Sequence, residues 1–149
     1  VEGAKKPVSP RPTRDGRVPI LIGGTSDKAV RRAVEWGIGW TAGGGGPDRA
    51  AGVIERVRKA WTEAGKDGAP RIVCLDYFAL GPQAEERGGQ YLGDYYGEYG
   101  GTITASMPKS PGELGDRMKR FEDIGTETLI FDPTVGDLDQ VEMLADAVL

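Results

Sequence analysis

The chain has 149 residues, 38% hydrophobic and 28% charged, with a net charge of −4, one cysteine and no histidine. That is the length of one ordinary domain with enough apolar residues for a core, and its acidic balance excludes non-specific nucleic-acid binding, which needs clustered cations. Without histidine the chain cannot build a Ser-His-Asp or Cys-His triad and lacks the commonest zinc ligand; the lone Cys74 excludes an internal disulfide and fits a reducing cytoplasm.

No apolar run reaches the ~18 residues of a membrane helix, and no signal-peptide core is present near residue 1. Residues 1–17 carry Pro7, Pro10 and Pro12 among small and basic residues, the composition of a solvated linker. Residues 18–22 (VPILI) form a short continuous apolar run that suits a strand buried on both faces. Thr25, Ser26 and Asp27 suit a helix start, and Ala29, Val30, Ala33 and Val34 follow at helical spacing. The unit then repeats, with a strand at 38–41 and a helix at 47–64. Pro47 stands in that helix's first turn, Ala50, Ile54, Val57, Trp61 and Ala64 form its apolar stripe, and Gly65 follows its end.

The strongest strand is 71–78 (RIVCLDYF). Beyond it, 83–99 is a poor helix broken by Gly88, Gly89, Gly93 and Gly97, with Tyr91, Tyr95 and Tyr99 on one face that reads as a packing stripe. Ser110-Pro111 opens a better helix with Leu114, Met118 and Phe121 in register, ending near Gly125. A fourth strand at 128–131 and a helix at about 137–148 follow, the latter with Leu138, Val141, Leu144 and Val148 expected inward. Strand–helix alternation of this kind predicts an α/β fold with parallel strands, and four βα units make half of a (β/α)8 TIM-type barrel, spanning 18–149.

Two glycine turns, Gly23-Gly24-Thr25 and Gly43-Gly44-Gly45-Gly46, stand one βα unit apart, each between a strand and a helix. Ligands in parallel sheets gather at the carboxyl ends of strands, and a helix N-terminus there offers unpaired N–H groups to an anion. Glycine lets a phosphate approach the main chain closely, and the Thr25 and Ser26 hydroxyls add donors. The two turns therefore predict a phosphate cradle, although tight turns alone would also use glycine. Neither turn is a P-loop or GxGxxG pattern, which argues against a nucleotide domain of the doubly wound type.

PILIGGTSDKAVRRAVEWGIGW (19–40), RIVCLDYFALG (71–81), the helix at 111–125 and ETLIFDPTVGDLDQVEMLADAVL (127–149) together resemble the luciferase-like monooxygenases, flavin- or deazaflavin (F420)-dependent oxidoreductases. The resemblance runs in order from residue 18 to 149 and matches the C-terminal half of such chains. It implies a barrel whose cofactor, FMN or F420, has its phosphate held by Gly23, Gly24 and Thr25 on one side, and by Thr41, Ala42 and Gly43 on the other. Trp40 would stand at the rim, either packing or touching the ligand. It also implies that most catalytic residues belong to the half not represented here, so the chain alone would be inactive. Its expected partners are the missing N-terminal half barrel or a second copy, with a small organic substrate in the full enzyme. The alternative is a non-enzymatic half-barrel module that self-assembles and binds a phosphate-bearing ligand.

Other polar residues carry two readings each. Asp76, inside an apolar strand, either meets a polar partner across the barrel interior or forms a structural ion pair. Asp132 ends the fourth strand at the ligand rim, where Asp-Pro-Thr also makes a plain turn. Arg31 and Arg32 follow the first turn closely but read equally as a solvated helix face. Cys74 reads as a small buried apolar residue.

Overall fold

The computed structural model describes residues 18–149, so the predicted linker at 1–17 lies outside the described residues. In chain order the elements are β1 (Leu21–Gly23), α1 (Asp27–Trp36), β2 (Gly39–Ala42), α2 (Gly46–Glu63), β3 (Arg71–Phe78) and α3 (Ala84–Tyr96). A single 3-10 turn (Gly97–Tyr99), α4 (Gly100–Ser106), α5 (Pro111–Asp123), β4 (Thr128–Pro133) and α6 (Asp139–Val148) complete it. The four strands form one parallel sheet in the order β1-β2-β3-β4, the arrangement of half a TIM-type barrel.

Register separates the two faces of this sheet. Ile22 lies beside Trp40, Trp40 beside Ile72, and Cys74 beside Leu129. In a parallel sheet such neighbours share a face, and alternate residues along a strand point to opposite faces. Trp40, Ile72 and Cys74 are buried with Val53, Ile54 and Val57 of α2 and Phe121 of α5, so this face carries the helical layer. Each such fully buried aliphatic or aromatic side chain contributes about 2 kcal/mol over an exposed one. The opposite face holds Leu21, Thr41, Val73, Leu75, Tyr77 and Ile130. At the carboxyl end it is covered by Leu92 of α3 and by Met107 just past α4. Elsewhere it is thinly covered, and Ile130 is 47% exposed.

Local signals account for most helix starts. Ser26 accepts the Ala29 N–H at 3.3 Å to cap α1, and Ser110 accepts the Glu113 N–H at 3.4 Å to cap α5. Glu113 reaches back to take the Lys109 N–H at 2.6 Å, and this hydrogen bond holds its carboxyl below the usual range. By contrast α2 starts at Gly46 after Gly45, which has no side chain to cap it, and this leaves its first N–H groups open.

Three expectations change. The tract at 83–99 is α3 and the 3-10 turn, and α4 follows it directly. The glycines serve close packing: a Cβ at Gly88 would lie 2.6 Å from Met107 Cε, and one at Gly100 would lie 2.5 Å from the Leu92 carbonyl oxygen. The tyrosine stripe is not a packing stripe, since Tyr91, Tyr95 and Tyr99 are exposed. Leu138, just before α6, and Val141 within it face solvent, whereas Met143, Leu144 and Ala147 pack against Phe78, Leu80 and Leu114. The cause is Gln140, which is buried and binds both main-chain groups of Leu80. It accepts the Leu80 N–H at 2.8 Å and donates to the Leu80 carbonyl at 2.9 Å, so it fixes the rotation of the helix.

Candidate functional site

The carboxyl ends of β1 and β2 open into the two glycine turns, and a cavity of about 210 Å³ lies between them. Of the predicted site residues, Gly24, Thr25, Trp40, Thr41, Ala42 and Gly43 line it together. Gly23 and Ser26 do not. Gly23 ends β1 against Thr41, and the Ser26 hydroxyl is spent on the α1 cap. The lining is completed by Gly44, Gly45 and Gly46, and by Arg49, Ala50 and Tyr96. No carboxylate lines it; its one charged side chain is Arg49.

The first turn is held from two sides. Trp40 is only 1% exposed, packed in the helix-facing core, and its indole N–H donates to the Gly24 carbonyl at 2.8 Å. Arg56 of α2 donates to the Thr25 carbonyl at 2.6 Å and to Asp27 at 2.7 Å. Trp40 is therefore first a packing residue that fixes the turn.

The second turn is shaped by backbone conformation and by what stands behind it. Gly45 has φ 137° and Gly46 φ 76°, both in the region that side chains disfavour. A Cβ at Gly44 would strike the ring of Tyr77, and one at Gly46 would lie 2.7 Å from the guanidinium of Arg117. Gly43 has nothing within 4 Å, so a side chain there would fill free space. Arg49 extends along Gly45 and makes no ion pair among the described residues.

Behind this turn lies a charged cluster from α2, β3 and α5. Asp48, in the first turn of α2, meets Arg120 with both oxygens at 2.7 Å, and this bond holds its carboxyl below the usual range. Arg117 places one guanidinium nitrogen 3.2 Å from Asp76 and donates from another to the Ser106 carbonyl. Asp76 is buried at 3% exposure. Its Oδ2 is close to Arg117 yet has no partner in hydrogen-bonding geometry. Burial outweighs the Arg117 charge and pushes the Asp76 carboxyl up to about 6. The reading of Asp76 as a barrel-lining residue is thereby corrected. It shares the helix-facing side of β3 with Cys74 and Phe78, and its partner is in this chain.

Tyr77 projects from the opposite side of β3. Its hydroxyl lies 2.8 Å from that of Tyr96, and burial raises its pKa well above the usual phenol value. Cys74 is buried, its thiol pushed up by burial, with the Thr126 hydroxyl 3.4 Å from the sulfur. Arg31 and Arg32 are exposed and away from the cavity. Asp132, the residue before the last of β4, is partly exposed and is not on the lining either. Among the described residues no group of three His, Cys, Asp or Glu side chains could hold a metal, and no helix is long and apolar enough to cross a membrane.

Sequence reasoning missed Arg49 and Tyr96. Arg49 follows Pro47-Asp48 at the head of α2, a position that could have marked it. Tyr96 stands one residue off the tyrosine stripe and carried no such signal.

A parallel half barrel with its cavity at the strand ends defines a class, the TIM-type α/β folds. Within that class the chain belongs to the luciferase-like monooxygenase family, whose family model matches residues 4–146. Uncharacterized proteins of Mycobacterium bovis and Mycobacterium tuberculosis are 41% identical over 78 residues, 51% of this chain and 26% of theirs. Among solved structures, an F420-dependent secondary alcohol dehydrogenase in complex with an F420–acetone adduct matches with a TM-score of 0.69 at 15% identity, over 90% of this chain and 49% of that one. Apo-MsnO8 matches with a TM-score of 0.61 at 15% identity, over 97% and 54%. At that identity both likenesses speak for the fold. The chain spans about half the length of these solved neighbours.

Proposed function

We propose that this chain is the C-terminal half of a luciferase-like oxidoreductase and supplies the site for the phosphate of a flavin or deazaflavin cofactor, FMN or F420. One observation carries the reading. The cavity between the two glycine turns has a floor of Trp40, Ala42 and Ala50, and its polar groups are glycine main chain, three hydroxyls and a single cation, with no carboxylate, beside the uncapped N-terminus of α2. Open N–H groups and a helix dipole hold an anion without further charge, and Arg49 adds a donor pair. The donor set fits a phosphate monoester. The Thr25 and Thr41 side chains stand on the same lining, where their hydroxyls would donate to its remaining oxygens.

The bound cofactor would supply hydride transfer or dioxygen activation. This chain's part is to anchor the phosphate and so fix where the ring lies. The thinly covered sheet face, with Ile130 at its edge, would meet the N-terminal half barrel or a second copy, and a small organic substrate would bind at the completed mouth. The neighbour solved with an F420–acetone adduct supports this choice of cofactor class.

The test compares binding of FMN, F420 and riboflavin, which lacks the phosphate. FMN or F420 binds more tightly than riboflavin, and Gly45→Val weakens that binding more than tenfold, because valine does not tolerate φ 137°. Equal affinity for FMN and riboflavin, or a Gly45→Val variant that binds as before, refutes the phosphate site.

A further inference from the structure

The Tyr77–Tyr96 pair has a proton to spare. Two phenols 2.8 Å apart share one hydrogen bond, yet each carries one O–H. Neither hydroxyl has any other partner among the described residues. Tyr77 is 7% exposed, its ring is wedged against Gly44, and it meets Tyr96 edge-on with centroids 6.0 Å apart. Either phenol could donate in this bond; we assign the donation to Tyr77, because Tyr96 is the one of the two that lines the cavity, where its own proton can meet an outside acceptor. The Tyr96 proton is then left over, and Tyr96 lines the cavity. The ring of Tyr95, edge-on at 4.7 Å, packs against Tyr96 from the solvent side. A fixed, unused O–H donor on a cavity that also holds a cation calls for an acceptor-rich anion.

We propose that the Tyr96 hydroxyl, oriented by Tyr77, is a binding residue that donates to a phosphoryl oxygen of the ligand. Tyr77 is the positioning residue. It also forms the wall behind Gly44, which ties the donor's orientation to the shape of the second glycine turn. This rests on the phosphate reading of the cavity, and it adds a contact from the far side of the sheet, across from α2.

The 149-residue chain is titrated with inorganic phosphate, followed by 31P NMR, and with FMN, followed by flavin fluorescence. Tyr96→Phe weakens both probes by about ten- to a hundredfold, the worth of one hydrogen bond to a charged group. Tyr77→Phe weakens them by about two- to threefold, because Tyr96 keeps its hydroxyl but loses its orientation. A merely structural pair would lower the melting temperature equally in both variants and leave both affinities unchanged. That result overturns the proposal, as does a Tyr96→Phe loss confined to FMN, since the hydroxyl then does not touch the phosphoryl group. Gly45→Val separates the two levels. If it abolishes binding while Tyr96→Phe binds as before, the contact is wrong and the cavity reading stands. If the unsubstituted chain binds neither probe, both fall.

Discussion

Replacing Asp76 by Asn tests the balance of forces behind the second turn. Asn keeps the shape of a protonated aspartate and removes only its ionisation. The carboxyl titrates near 6 in the fold against an ordinary 3.8, so the folded chain holds this proton where the unfolded chain has lost it. A raised acid makes its stability contribution below pH 3.8 and loses it as pH climbs toward 6. At about 1.4 kcal/mol per pH unit, the loss comes to about 3 kcal/mol. Urea unfolding of both proteins, followed by circular dichroism from pH 4 to 7.5, isolates this term, because the other titrating groups cancel in the difference. The Asn variant gains about 2.4 kcal/mol on the parent across that range, with most of the change complete by pH 6. A flat difference would show that Arg117 compensates the buried charge in full. A difference of opposite sign would show that the ion pair wins over desolvation, and either result refutes the reasoning.

Phe121→Ala removes the largest α5 side chain from the helix-facing core, where it is 1% exposed, and costs about 3–5 kcal/mol in the same unfolding assay. Gly44→Val drives the Tyr77 ring from its place and so disturbs the Tyr96 hydroxyl; FMN affinity falls at least as far as in Tyr77→Phe, read by the same fluorescence titration.

Strands and their order were legible because apolar runs such as RIVCLDYF leave few alternatives, and the ends moved only by a residue or two at β2 and β4. The start of β1 moved further, from residue 18 to Leu21, since an edge strand pairs only as far as its one neighbour reaches. The rotation of α6 was not legible. Leu138 and Val141 looked as apolar as Met143 and Ala147, and the choice was made by Gln140 reaching Leu80, a partner sixty residues earlier in the chain. Helix α4 was hidden because its glycines lower local propensity while permitting the close packing that stabilises it. At the cavity, the glycine turns announced themselves by composition. Arg49 and Tyr96 did not, since an arginine or a tyrosine looks alike in sequence whether it meets solvent or a pocket.

The two sides of the sheet have unequal thermodynamic standing. The side packed by α2 and α5 is complete within the chain, so its share of stability is intrinsic. The side bearing Ile130 is covered within the chain only at its carboxyl end, and on the proposed reading the rest would be completed from outside, so that its share would obey mass action. A partner at a hundred times its dissociation constant adds about 2.7 kcal/mol to the folded state. That is close to what the buried Asp76 costs near neutral pH, so on the same reading the melting temperature of this chain would become a function of how much of its complement is present.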